Sequence, residues 1–249
     1  MSDEFTFSGF EEIQSLKKGM LLVDKPVGPT SHDVVAWARK IFQVRKIGHT
    51  GTLDPLASGL LILLISRDFT KLQTQLLKQD KTYLVTAELG ITSGSYDCTG
   101  TISQTNVVVQ PTEAQIGVAL DQFIGEIDQE VPAFSAVKVG GKKLYKIARR
   151  NSTILPQLPS RKVVISNIEL IEYAWPNVTL RIDCSSGTYV RSLINDLGKV
   201  LNVGAMVTSL RRERIGTVTI EQTSVCPYII SRYRSPLTIE TNRDDIKQQ

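Results

Sequence analysis

The spacing of apolar positions changes several times along the chain, and each change marks an element. Residues 21–23 form a short apolar strand, closed by Lys25-Pro26 and the turn signal Gly28-Pro29. Thr30-x-x-Asp33 reads as a capping box that opens a helix to about Phe42, with Val34, Val35, Ala38 and Ile41 on one face. Residues 48–59 are a loop that passes into a buried apolar run at 60–65. Clean alternation over 81–89, with Tyr83, Val85, Ala87 and Leu89 on one side, predicts a strand, and the turn residues of 93–100 predict a hairpin to a second one. A second capping box, Thr112-x-x-Gln115, opens a helix that Gly125 is expected to end. Residues 135–139 followed by Gly140-Gly141 read as a strand and turn, and 144–150 as a short basic helix. Strands over 163–173, 178–184 and 206–210 and a helix over 189–200 complete the pattern. Hairpins mixed with helices, without regular strand–helix alternation, predict an α+β fold: a mixed, mostly antiparallel sheet flanked by helices. The expected organisation is a polar lead-in over 1–17, one domain over 18–225 and a short tail over 226–249.

Composition narrows the class. A chain of 249 residues with 41% apolar content can bury a sizeable core. Its longest purely apolar run, 60–65, falls far short of the ~20 residues a spanning helix requires. Asp3, Glu4, Glu11 and Glu12 leave no signal-type apolar core near the start, so no export signal is read. Cys98, Cys184 and Cys226 are scattered with no CxxC pair, which fits a reducing compartment and argues against a disulfide framework or zinc site. The expectation is a soluble, cytoplasmic protein with no membrane association.

Charge adds to this once it is mapped. The stretch 131–168 has no acidic residue but holds Lys138, Lys142, Lys143, Lys146, Arg149, Arg150, Arg161 and Lys162. Without those eight the chain would carry 21 basic against 25 acidic residues, so the net charge of +4 is a local property. A one-signed segment attracts a polyanion and releases its counterions. A solvated Lys-rich face fits the same residues equally well.

Only His32 and His49 are histidines, and no GxSxG, HExxH or GxxxxGK[ST] pattern occurs, which leaves carboxylate chemistry as the leading option for an enzyme. The densest stretch is Gly48-His49-Thr50-Gly51-Thr52-Leu53-Asp54-Pro55-Leu56-Ala57-Ser58-Gly59. Its glycines allow close backbone approach, and Pro55 steers Asp54 away from helical backbone. Asp followed by Pro is equally a helix N-cap with proline at the first helical position. In Gly187-Thr188-Tyr189-Val190-Arg191, a cation stands at a helix start, where an anionic partner suits it; an ordinary surface arginine is the other reading. Tyr83, in Lys81-Thr82-Tyr83, is either a core side chain or a ring on which a base stacks.

Taken in order, these blocks, together with Leu22-Val23-Asp24-Lys25-Pro26, Ser135-Ala136-Val137-Lys138 and Gly141-Lys142-Lys143-Leu144-Tyr145, closely resemble the TruB family of tRNA pseudouridine synthases from about Gly19 to Gly216. The resemblance implies a pseudouridine-synthase-type fold whose 131–162 segment is an RNA-clamping insertion. It implies that Asp54 is the catalytic aspartate and that His49 enters the T-loop in place of a flipped uridine. By the same resemblance Tyr83 stacks on the uracil, Arg191 pairs with the aspartate, Lys25 supports the site, Leu210 lies near the base, and Tyr189 belongs to the substrate-binding set. No cofactor or metal is implied. The partner is the T-stem-loop of tRNA, bound by a monomer without an obligatory protein subunit. Phe134 stands where the family often has Tyr, which removes that hydroxyl. A PUA-type RNA-binding domain, carried by many bacterial members, is expected to be absent or a remnant.

Three other readings use the same residues. A non-catalytic RNA-binding module would bind the T-loop whatever stood at position 54. A guide-dependent pseudouridine synthase subunit would match the same motifs but rely on protein partners. An unrelated carboxylate enzyme such as a glycosidase would need a second acid, and none lies between Asp54 and Asp68.

Overall fold

The structure is a computed structural model that describes residues 17–148 and 157–223. The lead-in up to residue 16, Arg149 and Arg150 of the basic stretch, and the 226–249 tail lie outside the described residues. The chain divides into two compact units, with boundaries at Lys81/Thr82 and Leu210/Arg211.

In the first unit, β1 (Gly19–Lys25) leads through the Gly28-Pro29 turn into helix α1 (Ser31–Phe42). The capping box forms as predicted: Asp33 N donates to Thr30 Oγ1 at 3.1 Å, and Thr30 N donates to Asp33 Oδ2 at 2.8 Å. Such a cap contributes about 1 kcal/mol. Strands β2 (Ile47–His49) and β1 both pair antiparallel with β3 (Ala57–Ile65), placing Ile47 and Gly19 opposite Ile65. Two short helices follow, α2 (Arg67–Thr70) and α3 (Gln73–Leu77).

The apolar run 60–65 is explained by what covers it. Leu61, Leu63 and Ile65 pack with Val34, Val35, Ala38 and Phe42 of α1, while Leu60, Ile62 and Leu64 pack with Ile215, Phe69 and Leu76. Both faces of β3 are therefore buried, and alternation disappears from the sequence. Each fully buried aliphatic side chain here contributes roughly 1.5–3 kcal/mol.

The second unit begins in β4 (Lys81–Leu89), whose Tyr83, Val85, Ala87 and Leu89 face inward as the alternation predicts. Gly90, at φ +85°, ends it. The predicted hairpin is instead made by β5 (Ile91–Ser93) with β6 (Ile102–Gln104), and residues 94–101 form its connection. Helix α4 (Glu113–Asp121) carries the second capping box but stops before Gly125, which opens strand β7 (Gly125–Glu130) at φ +102°. That strand is absent from the sequence reading because its side chains alternate between charged residues and a single Ile127. The tight turn at Gly140-Gly141, φ +58° and +78°, joins β8 (Lys138–Val139) to β9 (Lys142–Lys143), so the strand expected over 135–139 is shorter than predicted. Helix α5 (Leu144–Ala148) follows.

Strand β10 (Ser160–Ala174) pairs antiparallel with β7 on one edge and with β11 (Asn177–Cys184) on the other. Helix α6 (Val190–Val200) leads to β12 (Ala205–Ile215), which runs past the predicted end at Leu210 and re-enters the first unit. A short β13 (Val218–Thr219) pairs back on its end. Among the described residues, no helix is long and apolar enough to cross a membrane.

In the first unit, Gly59 sits against the backbone of β12. A Cβ added there would lie 2.3 Å from the Arg212 carbonyl oxygen, at a φ of +102°. Gly59→Ala is therefore expected to lower stability by about 2–4 kcal/mol, measured by urea denaturation of the full chain. A loss below about 0.5 kcal/mol, the range of inert surface substitutions, would show that the two strands can part without penalty.

Candidate active site

Residues 50–56 join β2 to β3 and carry Asp54. Their backbone is fixed mostly by groups outside the loop. Thr50 N donates to Ile62 O (3.1 Å) and Gly28 N donates to Pro55 O (2.8 Å). The buried Ser31 hydroxyl accepts from Leu53 N (2.8 Å) and donates to Leu53 O (3.1 Å). Arg212, from β12, donates through Nη2 to Gly51 O (3.1 Å) and through Nε to Leu60 O (2.8 Å). Asp54 lies between the anchored Leu53 and Pro55, half-buried, and its carbonyl accepts from Ala57 N at 3.0 Å. Residues 55–56 form a turn into β3, so Asp54 has no helix to cap and the capping reading of Asp54-Pro55 falls away.

Lys25 ends β1 and is 0% exposed. Its ammonium donates to Pro26 O (2.7 Å) and Pro29 O (2.8 Å). Burial pushes its pKa down to about 8; the Asp54 carboxylate opposes that shift and the Arg212 guanidinium adds to it. Lys25 and Asp54 are thus electrostatic neighbours. His49 ends β2, and its carbonyl accepts from Gln73 Nε2 at 2.9 Å. Its ring meets that of the exposed His32 edge-on, with centroids 5.6 Å apart and planes at 79°. Burial, followed by the charges of His32 and Arg212, pushes His49 down to about 4, so the imidazole is neutral at pH 7.

The remaining candidates belong to the second unit. Arg191 lies in the first turn of α6 and is only 3% exposed, so it is not an ordinary surface arginine. Its Nη1 donates to Ser95 O (2.7 Å) and stands 3.3 Å from Asp97 Oδ2, while Nη2 donates to Phe134 O (3.1 Å). Phe134 contributes a backbone carbonyl here, which the exchange of Tyr for Phe leaves intact. Asp97 is itself buried and accepts at Oδ1 from Ser95 Oγ (2.6 Å), Thr99 N (3.0 Å) and Thr99 Oγ1 (2.5 Å). Those bonds and the guanidinium together satisfy a carboxylate that would otherwise be costly to bury.

Tyr189 stands just before α6 with its peptide clamped by one side chain. Gln129 accepts from Tyr189 N (2.7 Å) and donates to Tyr189 O (3.0 Å). The Arg161 guanidinium lies 5.0 Å from the Tyr189 ring centroid, a cation–π distance. Tyr83 and Leu210 are largely buried, at 9% and 6% exposure, on β4 and β12.

Sequence reasoning missed Ser31, Asp97, Gln129 and Arg212. Asp97 sits among turn residues and Gln129 in an unrecognised strand. Ser31 looks like any helix-start serine, and Arg212 is one cation of an Arg211-Arg212-Glu213-Arg214 run. No spacing rule connects any of them to its partner.

Residues 39–190 match the profile described as TruB family pseudouridylate synthase (N terminal domain). The chain is 44% identical over 207 residues to tRNA pseudouridine synthase B of Chlamydia abortus, covering 83% of this chain and 86% of that one. It is 46% identical over 203 residues to tRNA pseudouridine synthase B of Burkholderia pseudomallei, covering 82% of this chain and 66% of that one. Among solved structures, a Cbf5-Nop10-Gar1 complex contains a chain with a TM-score of 0.64 and 29% identity, of which this chain spans 58% while 90% of its own length is covered.

The burial of His49 makes a titration prediction. The unfolded chain binds this proton near 6.5 and the folded chain only near 4, so His49 contributes stability at neutral pH that is lost as pH falls from 6.5 through 4. Proton NMR of the His49 ring is expected to show no titration between pH 8 and about 5. A midpoint near 6.5 would mean that the ring is solvated.

Proposed function

Because this chain belongs to the TruB family of pseudouridylate synthases, we propose that it isomerises uridine to pseudouridine at position 55, in the T-loop of tRNA. The observation that carries the reading is likeness along most of the chain to proteins named for that tRNA reaction, at 44–46% identity.

The reaction breaks the N1–C1′ bond, turns the uracil and rejoins it to the ribose through C5, without net redox change or hydrolysis. The uridine is stacked in the folded arm and must be flipped out at a cost of a few kcal/mol. Stacking on Tyr83, at ~1–3 kcal/mol per base, offsets much of that. The neutral His49 ring fills the vacated place at little further desolvation cost, in keeping with its suppressed basicity. Asp54 is the catalytic carboxylate and acts on the flipped nucleotide, by attack at C1′ or C6 or on the C2′ proton. Lys25 supplies a cation beside the Asp54 carboxylate, and Arg191, held by Asp97, belongs to the substrate-binding set that the family resemblance implies. Tyr189 and Leu210 complete the binding surface, and Tyr83 takes the C5 proton at the end.

The basic stretch over 131–162 clamps the RNA backbone, within one catalytic domain over 18–225. The protein works in the cytoplasm as a monomer without cofactor, metal or obligatory protein partner. The guide-dependent alternative has support from the fold of the Cbf5-Nop10-Gar1 chain, but identity there is 29% against 44% for the Chlamydia abortus tRNA pseudouridine synthase B, which favours the tRNA enzyme.

Asp54→Asn is expected to bind T-arm RNA normally yet release no tritium from C5-labelled uridine; undiminished release by this variant would reject Asp54 as the catalyst. Tyr83→Phe keeps the stacking ring and loses the hydroxyl, so base flipping should persist while turnover falls by roughly 10²–10⁴, the usual contribution of acid–base catalysis. Wild-type turnover in that variant removes Tyr83 from proton transfer.

A further inference from the structure

The first unit contains a buried cation that no step above uses. Arg212 is 1% exposed, and its hydrogen bonds go to the carbonyl oxygens of Leu60 and Gly51 rather than to a carboxylate. A buried guanidinium without a bonded anion is a poor way to stabilise a core, since an apolar side chain of similar volume fills the space without desolvation. What the guanidinium offers instead is a rigid planar fork able to hold two backbone oxygens at fixed separation. Here Nε reaches β3 and Nη2 reaches the loop, so the fork spans the joint between strand and loop.

One glycine lies against the fork and another against the backbone of the same arginine. Gly51 has φ +120°, and a Cβ there would stand 3.3 Å from Arg212 Nη1. At Gly59 a Cβ would strike the Arg212 backbone itself. The rest of the loop has its own anchors, Ser31 on Leu53 and Gly28 on Pro55. Between His49 and the Ser31 anchor, the Thr50 N bond to Ile62 O and the Arg212 bond to Gly51 O tie the backbone to the strands. Gly51 lies two positions after His49 and three before Asp54, both of which are assigned to the nucleotide.

We propose that Arg212 is a positioning residue for pseudouridine formation, holding the Gly51 carbonyl so that His49 and Asp54 stand at the separation the flipped nucleotide requires. This deepens the proposed function and rests on it. Its charge reaches His49 and Lys25 as well, lowering the proton affinity of both.

The test uses the full chain with Arg212→Met and Arg212→Lys, following thermal melting, T-arm RNA affinity, single-turnover tritium release and the His49 ring titration. Arg212→Met is expected to bind RNA within about threefold of wild type while release slows by about 100-fold, the penalty of an ångström-scale misplacement. Its His49 midpoint should rise, because a neighbouring positive charge is gone. Arg212→Lys keeps the charge but not the fork, so release should slow while the His49 midpoint stays in place. A residue serving only stability would lower the melting temperature and leave the single-turnover rate of folded protein unmoved; that result overturns the proposal. Should Arg212→Met not fold, Arg212→Lys and Gly51→Ala decide: slowed release with retained binding supports positioning, and wild-type release from both rejects it. If wild-type protein forms no pseudouridine, the functional reading fails; active wild type with equally active variants sinks this inference alone.

Discussion

A loop that is neither helix nor strand must find partners for its backbone amides and carbonyls elsewhere, and in this protein that requirement organises the region around Asp54. Residues 50–56 turn too sharply to satisfy themselves, so Ser31 reaches in from the start of α1 and Arg212 from β12. Unmade, each such bond to a buried group costs about 1–3 kcal/mol. The arrangement yields a loop pinned on both sides of its carboxylate. Helix α1 must then start where it does, because its first residue supplies the hydroxyl, and the Thr30–Asp33 capping box fixes that start. Stability and placement of the Asp54 carboxylate have a common origin.

Electrostatics follow from the same packing. Lys25 is drawn fully inside at the end of β1, where its stem is covered and its ammonium meets two carbonyls. His49 is enclosed enough, with the Arg212 charge nearby, to stay neutral at pH 7. A neutral ring can enter an RNA stack without carrying a hydration shell with it. In the second unit, Arg191 and Asp97 are buried side by side, and backbone and hydroxyl groups complete the bonding that each begins with the other. Burial favours the neutral form of His49, whereas polar side chains can be buried together where each completes the other's bonding.

What the sequence disclosed divides along physical lines. Local signals were legible: the two capping boxes, the alternation of β4, and the strands β10 and β11 all appear where pattern and turn residues placed them. Asp54 and His49 stood out as candidates because their block is dense and rich in glycine, and Lys25 because of its own Asp-Lys-Pro block. Strand β7 was hidden because alternating Glu and Asp look like solvated loop, and only its pairing with β10 makes it a strand. Asp97, Gln129, Ser31 and Arg212 were hidden for a deeper reason. Each acts on a residue distant in sequence, 94 positions for Asp97 and Arg191, and periodicity carries no information about contacts of that kind.

Burial of β3 on both faces has an implication for how the chain is made. A six-residue aliphatic stretch without charge or proline is the type of segment that stacks with copies of itself when left bare. In this chain its two earliest shields, β1 and α1, precede it in sequence and leave the ribosome first. Ile215, which covers the other side, is synthesised much later. Nascent chains therefore carry one protected and one unprotected surface of this strand through most of translation, and the short α2 and α3, arriving directly behind it with Phe69 and Leu76, are the provisional cover until β12 docks.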